Sequence, residues 1–95
     1  MEAVVNKRLQ DLQSLPLVQL CQLPEFASEK TSVDGKEVTV GVWHDVLKDG
    51  VHRVVVQAIR ERWGGITAKV VVEGFEFKIE GDLRRLAAEE LYDFT

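Results

Sequence analysis

A chain of 95 residues with 45% hydrophobic and 29% charged side chains has an ordinary soluble globular composition, which argues against disorder. Its net charge of −4 disfavours non-specific attraction to nucleic acid or to an anionic membrane. A lone cysteine, Cys21, rules out an internal disulfide and offers no metal-ligand spacing. No apolar run approaches the ~20 residues that span a bilayer, and the first residues lack a secretory leader pattern; one cytoplasmic domain over residues 1–95 is expected.

Met1–Ser14 is predicted to be helical, because Val5, Leu9 and Leu12 recur on one face while Asn6, Lys7, Gln10 and Asp11 fall elsewhere. Pro16 marks its end. Leu17–Leu23 reads equally as a helical turn around Leu17, Leu20 and Cys21 or as a short buried strand, closed by Pro24. Glu25–Ser32 is polar apart from Phe26 and Ala27, so it reads as a loop or a weak edge strand.

The remaining pattern is dominated by strands. Lys36–Leu47, Val51–Trp63, Ile66–Val72 and Phe75–Ile79 are rich in residue types suited to a pleated surface. Asp34-Gly35, Asp49-Gly50, Gly64-Gly65 and Glu73-Gly74 lie at their ends, and each is a signal for a two-residue hairpin loop. With such loops Lys48 faces Val51, Ile59 faces Val70 and Val70 faces Phe77. One sheet face then gathers Val38, Val40, Val42 and His44 with Val55, Ile59, Trp63, Val70, Val72, Phe75 and Phe77. The expected core is an antiparallel meander of four strands, or five if the segment before Asp34-Gly35 joins it.

Asp82 is a good N-cap for a C-terminal helix in which Leu83, Leu86, Ala87, Leu91 and Phe94 form an apolar stripe. That helix is expected to cover the apolar sheet face, giving an α+β architecture with helices at both chain ends.

The opposite face would carry Trp43, Leu47, Val54, Val56 and Ala58, too apolar a group to leave in water. The N-terminal helix with Leu17–Leu23 could cover it, and so could a second copy of the chain in a homodimer, or another protein partner. Trp43, Leu47, Val54 and Val56 are the predicted contact residues, with Trp43 the anchor. A second surface gathers Arg60, Arg62, Lys69 and Lys78, cations that could follow a phosphate backbone. Single-strand binders interleave aromatic platforms with such cations, and Trp63, Phe75 and Phe77 point to the other side.

Catalytic signals are absent from the sequence. It contains no G-x-G-x-x-G, H-E-x-x-H, G-x-S-x-G or EF-hand pattern, and Gly64-Gly65 lacks the spacing of a phosphate loop. His44 and His52 fall on opposite sheet faces if the Asp49-Gly50 loop has two residues. A three-residue loop, Lys48-Asp49-Gly50, would bring them diagonally together, still short of a third zinc ligand. A small enzyme or ligand carrier would need a pocket beside His44. Cys21 reads as a small core hydrophobe. The reading best supported by sequence is therefore a non-enzymatic binding or assembly module with no cofactor and no metal.

Overall fold

A computed structural model describes residues 2–62, 67–78, 83–87 and 90–91. Two helices, α1 (Glu2–Gln13) and α2 (Leu17–Cys21), precede five strands: β1 (Phe26–Val33), β2 (Lys36–Val46), β3 (His52–Arg62), β4 (Thr67–Phe77) and β5 (Leu83–Arg85). The strands form one antiparallel sheet in the order β1-β2-β3-β4-β5. The antiparallel α+β meander expected from sequence is therefore present, and the weakly patterned segment before Asp34-Gly35 joins it as β1, but β4 replaces two expected strands and β5 lies in the segment expected to be helical.

Val5, Leu9 and Leu12 are the buried positions of α1, as their spacing requires. Pro16 separates the helices, since a proline cannot donate to the preceding turn. Of the two readings of Leu17–Leu23 the helical turn is realised, and it seals Leu20 into the core at 1% exposure.

The hairpins set which side chains share a face. Asp34 and Gly35 both have positive φ, 52° and 76°, as a tight two-residue turn between paired Val33 and Lys36 demands. The next loop departs from expectation. Val46 pairs with His52, and the Leu47 N–H donates to the Val51 carbonyl at 2.6 Å. Lys48-Asp49-Gly50 is thus a three-residue loop, tightened by a 3-10 turn, with Gly50 at φ 73°. One residue of slip moves every β2 side chain to the other face relative to β3. Between β3 and β4 the predicted register holds, with Ile59 opposite Val70 and Gln57 opposite Val72; Trp63 to Ile66 lie outside the described residues.

The predicted turn at Glu73-Gly74 does not form. β4 runs straight through it, with Gly74 opposite Val55. A β-carbon at Gly74 would lie 2.7 Å from the Val54 carbonyl oxygen, 2.9 Å from Leu86 and 3.2 Å from Leu91. The glycine is there to let the C-terminal segment lie on the strand, and the Leu86 N–H donates to its carbonyl at 2.9 Å.

The slip and the missing turn together re-sort the faces. Val38, Val40, Val54, Val56, Ala58, Phe75 and Phe77 form one core with Val5, Leu9, Leu12 and Leu20, so α1 and α2 cover this side. Val55, Leu86 and Leu91 form a smaller cluster on the reverse, with Trp43 and Val72 packed against it. Val40 and Phe77 stay together, as predicted, because each is displaced by one change of phase. Val55, Ile59, Val70 and Val72 are parted from them.

At the C-terminal end, Leu83–Arg85 is a strand and not part of a helix, and residues 90–91 have 3-10 geometry. The Asp82 cap and Phe94 lie outside the described residues. Leu86 and Leu91 still reach the sheet. Arg84 bridges Glu76 and Glu90, and hydrogen bonds from Arg84 and from the Ala87 N–H hold the Glu90 carboxyl down at about 2.

Candidate functional site

The predicted contact group does not form one surface. Val54 and Val56 are fully buried beneath the N-terminal helices, the cover that a folded-back α1 and α2 would supply. Trp43 lies on the reverse face, opposite Val55, because of the three-residue loop. Leu47 is half-buried at the hairpin end. In place of the valines, Phe26 of β1 joins Trp43. Their ring centroids are 4.8 Å apart with a tilt of 48°, and Phe26 remains 49% exposed. Gly41 makes room for the pair, since a β-carbon there would lie 3.1 Å from the Trp43 ring. Ile59, Val70 and Val72 are half-buried farther along the same face.

The basic residues are divided. Arg60 and Lys69 stand directly opposite across β3 and β4, and Arg62 pairs with Thr67 two positions on. Lys78 follows Phe77, whose partner is His52, and so sits at the far end of the strands, about 30 Å away at the rise of an extended chain. Glu73 and Glu76 are bridged by Arg85 and Arg84 from β5. Asp45 accepts from Arg53 across the strands at 3.0 Å.

The same loop that displaces Trp43 unites the histidines. His44 near the end of β2 and His52 at the start of β3 now share the α-covered face, at 7% and 8% exposure. His44 Nε2 lies 2.9 Å from His52 Nδ1, and His44 Nδ1 lies 2.9 Å from the Leu23 carbonyl oxygen. The His44 backbone N–H also donates to the Glu25 carbonyl at 2.9 Å, so the linker after α2 is fastened to this position twice. Cys21, the last residue of α2, places its Sγ 3.9 Å from His52 Nε2. Phe77 lies flat against the His52 ring, with centroids 4.8 Å apart and planes 13° from parallel.

One carbonyl fixes the protons of the whole array. Leu23 O can only accept, so His44 Nδ1–H donates to it. That leaves a lone pair on His44 Nε2, which accepts from His52 Nδ1–H. His52 Nε2 then presents its own lone pair to the Cys21 thiol. Burial, helped by the charge His44 carries when protonated, holds the His52 pKa below its ordinary value. The neutral ring is the favoured state, so the Nε2 that faces the thiol carries no proton.

Nothing near Cys21 in sequence points to His52, which comes from a strand 31 positions on. The usable signal was the Gly at the third loop position, the usual left-handed residue of a three-residue hairpin loop. The concavities lined by Lys30, Lys36, Thr39 and Ile59, and by Val51, Phe77 and Arg84, do not include His44. Among the described residues no helix is long and apolar enough to cross a membrane. No protein-family model, curated protein or solved structure matches the chain, so its function is argued from its own residues.

Proposed function

We propose that the chain is a small non-enzymatic assembly module that pairs with a second copy of itself through the sheet face carrying Trp43. The half-exposed Phe26 packed at a tilt against Trp43 supports this reading most directly. Large aromatic rings at a sheet margin are what symmetric interfaces bury, and two-fold dimers are the commonest oligomers. The half-buried Ile59, Val70 and Val72 extend the apolar character of that face. A reducing, cytoplasmic setting suits a chain whose single cysteine has no disulfide partner within it.

Light scattering after size-exclusion chromatography tests the proposal. The expected mass is twice the 10.7 kDa of one chain at high concentration. Phe26→Glu should weaken association by tenfold or more, about 1.4 kcal/mol, while leaving the circular dichroism unchanged. A wild-type chain that stays monomeric at high concentration removes the reading. Nucleic-acid contact has less behind it, because Lys78 stands apart from Arg60 and Lys69 and the chain is acidic overall.

A further inference from the structure

Cys21, His52 and His44 are brought together from α2, β3 and β2, and the dimer reading makes no use of them. His52 is 8% exposed, and the Nε2 partner is a thiol 3.9 Å away, a separation that makes a poor hydrogen bond. It is a better span for an ion. Metal–sulfur and metal–nitrogen bonds of about 2.3 and 2.0 Å put their donors about 3.5 Å apart at a tetrahedral angle and about 4.3 Å apart in line. The observed gap lies between these limits, corresponding to an angle of about 130° by the same bond lengths.

We infer that Cys21 Sγ and His52 Nε2 form a binding site for a thiophilic monovalent ion, Cu(I). Three observations favour it. The His52 lone pair is already aimed at the sulfur, and its other nitrogen donates to His44, as the outer nitrogen of a metal-bound imidazole ordinarily does. His44 is itself locked by the Leu23 carbonyl, so the donor ring is oriented before any ion arrives. The donor set is soft and small. Among the described residues no three His, Cys, Asp or Glu side chains converge on a metal position, which leaves Zn(II) short of its usual four ligands. Cu(I) is satisfied by two or three donors when one is a thiolate. Phe77 against the ring keeps water from one side, and the half-exposed Cys21 leaves a route in. Binding replaces the thiol proton: Cys21–SH and Cu(I) give Cys21–S–Cu and one proton released to solvent, with His52 contributing its lone pair and losing no proton.

Anaerobic titration of the full, reduced chain with Cu(I), read by competition with bathocuproine disulfonate, tests the site. One Cu(I) per chain is expected. Cys21→Ser should abolish binding, His52→Gln should weaken it about a hundredfold, and His44→Gln about tenfold through the outer hydrogen bond. Two readings on the unaltered protein guard against misfolded variants. One equivalent of Cu(I) should block alkylation of Cys21 by iodoacetamide, and it should shift the His52 ring protons in the NMR spectrum. Binding that survives His52→Gln undiminished, His52 signals that do not move, or Zn(II) held as tightly as Cu(I) would each overturn the assignment.

Discussion

His52 shows how a single side chain couples local packing to solution conditions. Its ring is enclosed by Phe77, His44 and Cys21, and enclosure holds its pKa below the ordinary imidazole value of about 6.5. In the unfolded chain the same ring takes up its proton near that ordinary value. Between the depressed folded pKa and about 6.5 the unfolded state therefore binds more protons, and stability falls as pH falls. Above about 6.5 both states are neutral at this site and the contribution is fully present. Urea midpoints should be lower at pH 5 than at pH 7.5, and His52→Gln should flatten much of that difference. Equal midpoints for the wild-type chain would show that the ring is protonated without penalty.

At the scale of elements, glycines act in two different ways that the sequence does not distinguish. Gly35 and Gly50 have positive φ and open space around them, so their role is conformational. Gly74 lies in mid-strand with ordinary φ, and Val54, Leu86 and Leu91 occupy the space a side chain would need. Alanine at Gly50 should cost about 1 kcal/mol, and asparagine less, because Asn tolerates left-handed backbone. Alanine at Gly74 should cost about 1–3 kcal/mol from overpacking, with asparagine worse still. Denaturant titration of the four variants checks the contrast, and relief by Asn at Gly74 would contradict the packing role. The same pair of glycines explains what was legible. The α1 stripe, the Asp34-Gly35 turn and the β3–β4 register follow from spacing alone. Loop length at Asp49-Gly50 does not, because Val54, Val55 and Val56 are apolar in succession and suit either face. A glycine required for contact also looks, in sequence, like one required for a turn. Hence spacing alone groups Trp43 with Val54 and Val56 and gives no sign that Cys21 meets His52.

Among the described residues, the two sides of the sheet are covered unequally. The described residues extend over 45 × 24 × 19 Å, with two helices on one side and the cluster of Val55, Leu86 and Leu91 on the other. β3 is bonded on both edges and buried at Val54, Val55, Val56 and Ala58, so its amides open only with the whole fold. β1 pairs with β2 alone, and its side chains are exposed until Val33. Leu86 is tied down by one backbone hydrogen bond beside a three-residue strand. Hydrogen exchange should therefore be slowest at Val54–Ala58 and at least about a hundredfold faster at β1 and Leu86, which can open locally. Leu9→Ala, which hollows the helix-covered side, should cost about 2–5 kcal/mol and speed the β3 amides accordingly. It should leave the β1 and Leu86 rates nearly unchanged, since those amides already escape by cheaper routes. The proposed self-association through Phe26 and Trp43 would add one signature: protection of β1 should rise with protein concentration while that at Leu86 does not. Equal protection at Leu86 and Val56 would mean that the thinly covered side opens only with the global fold.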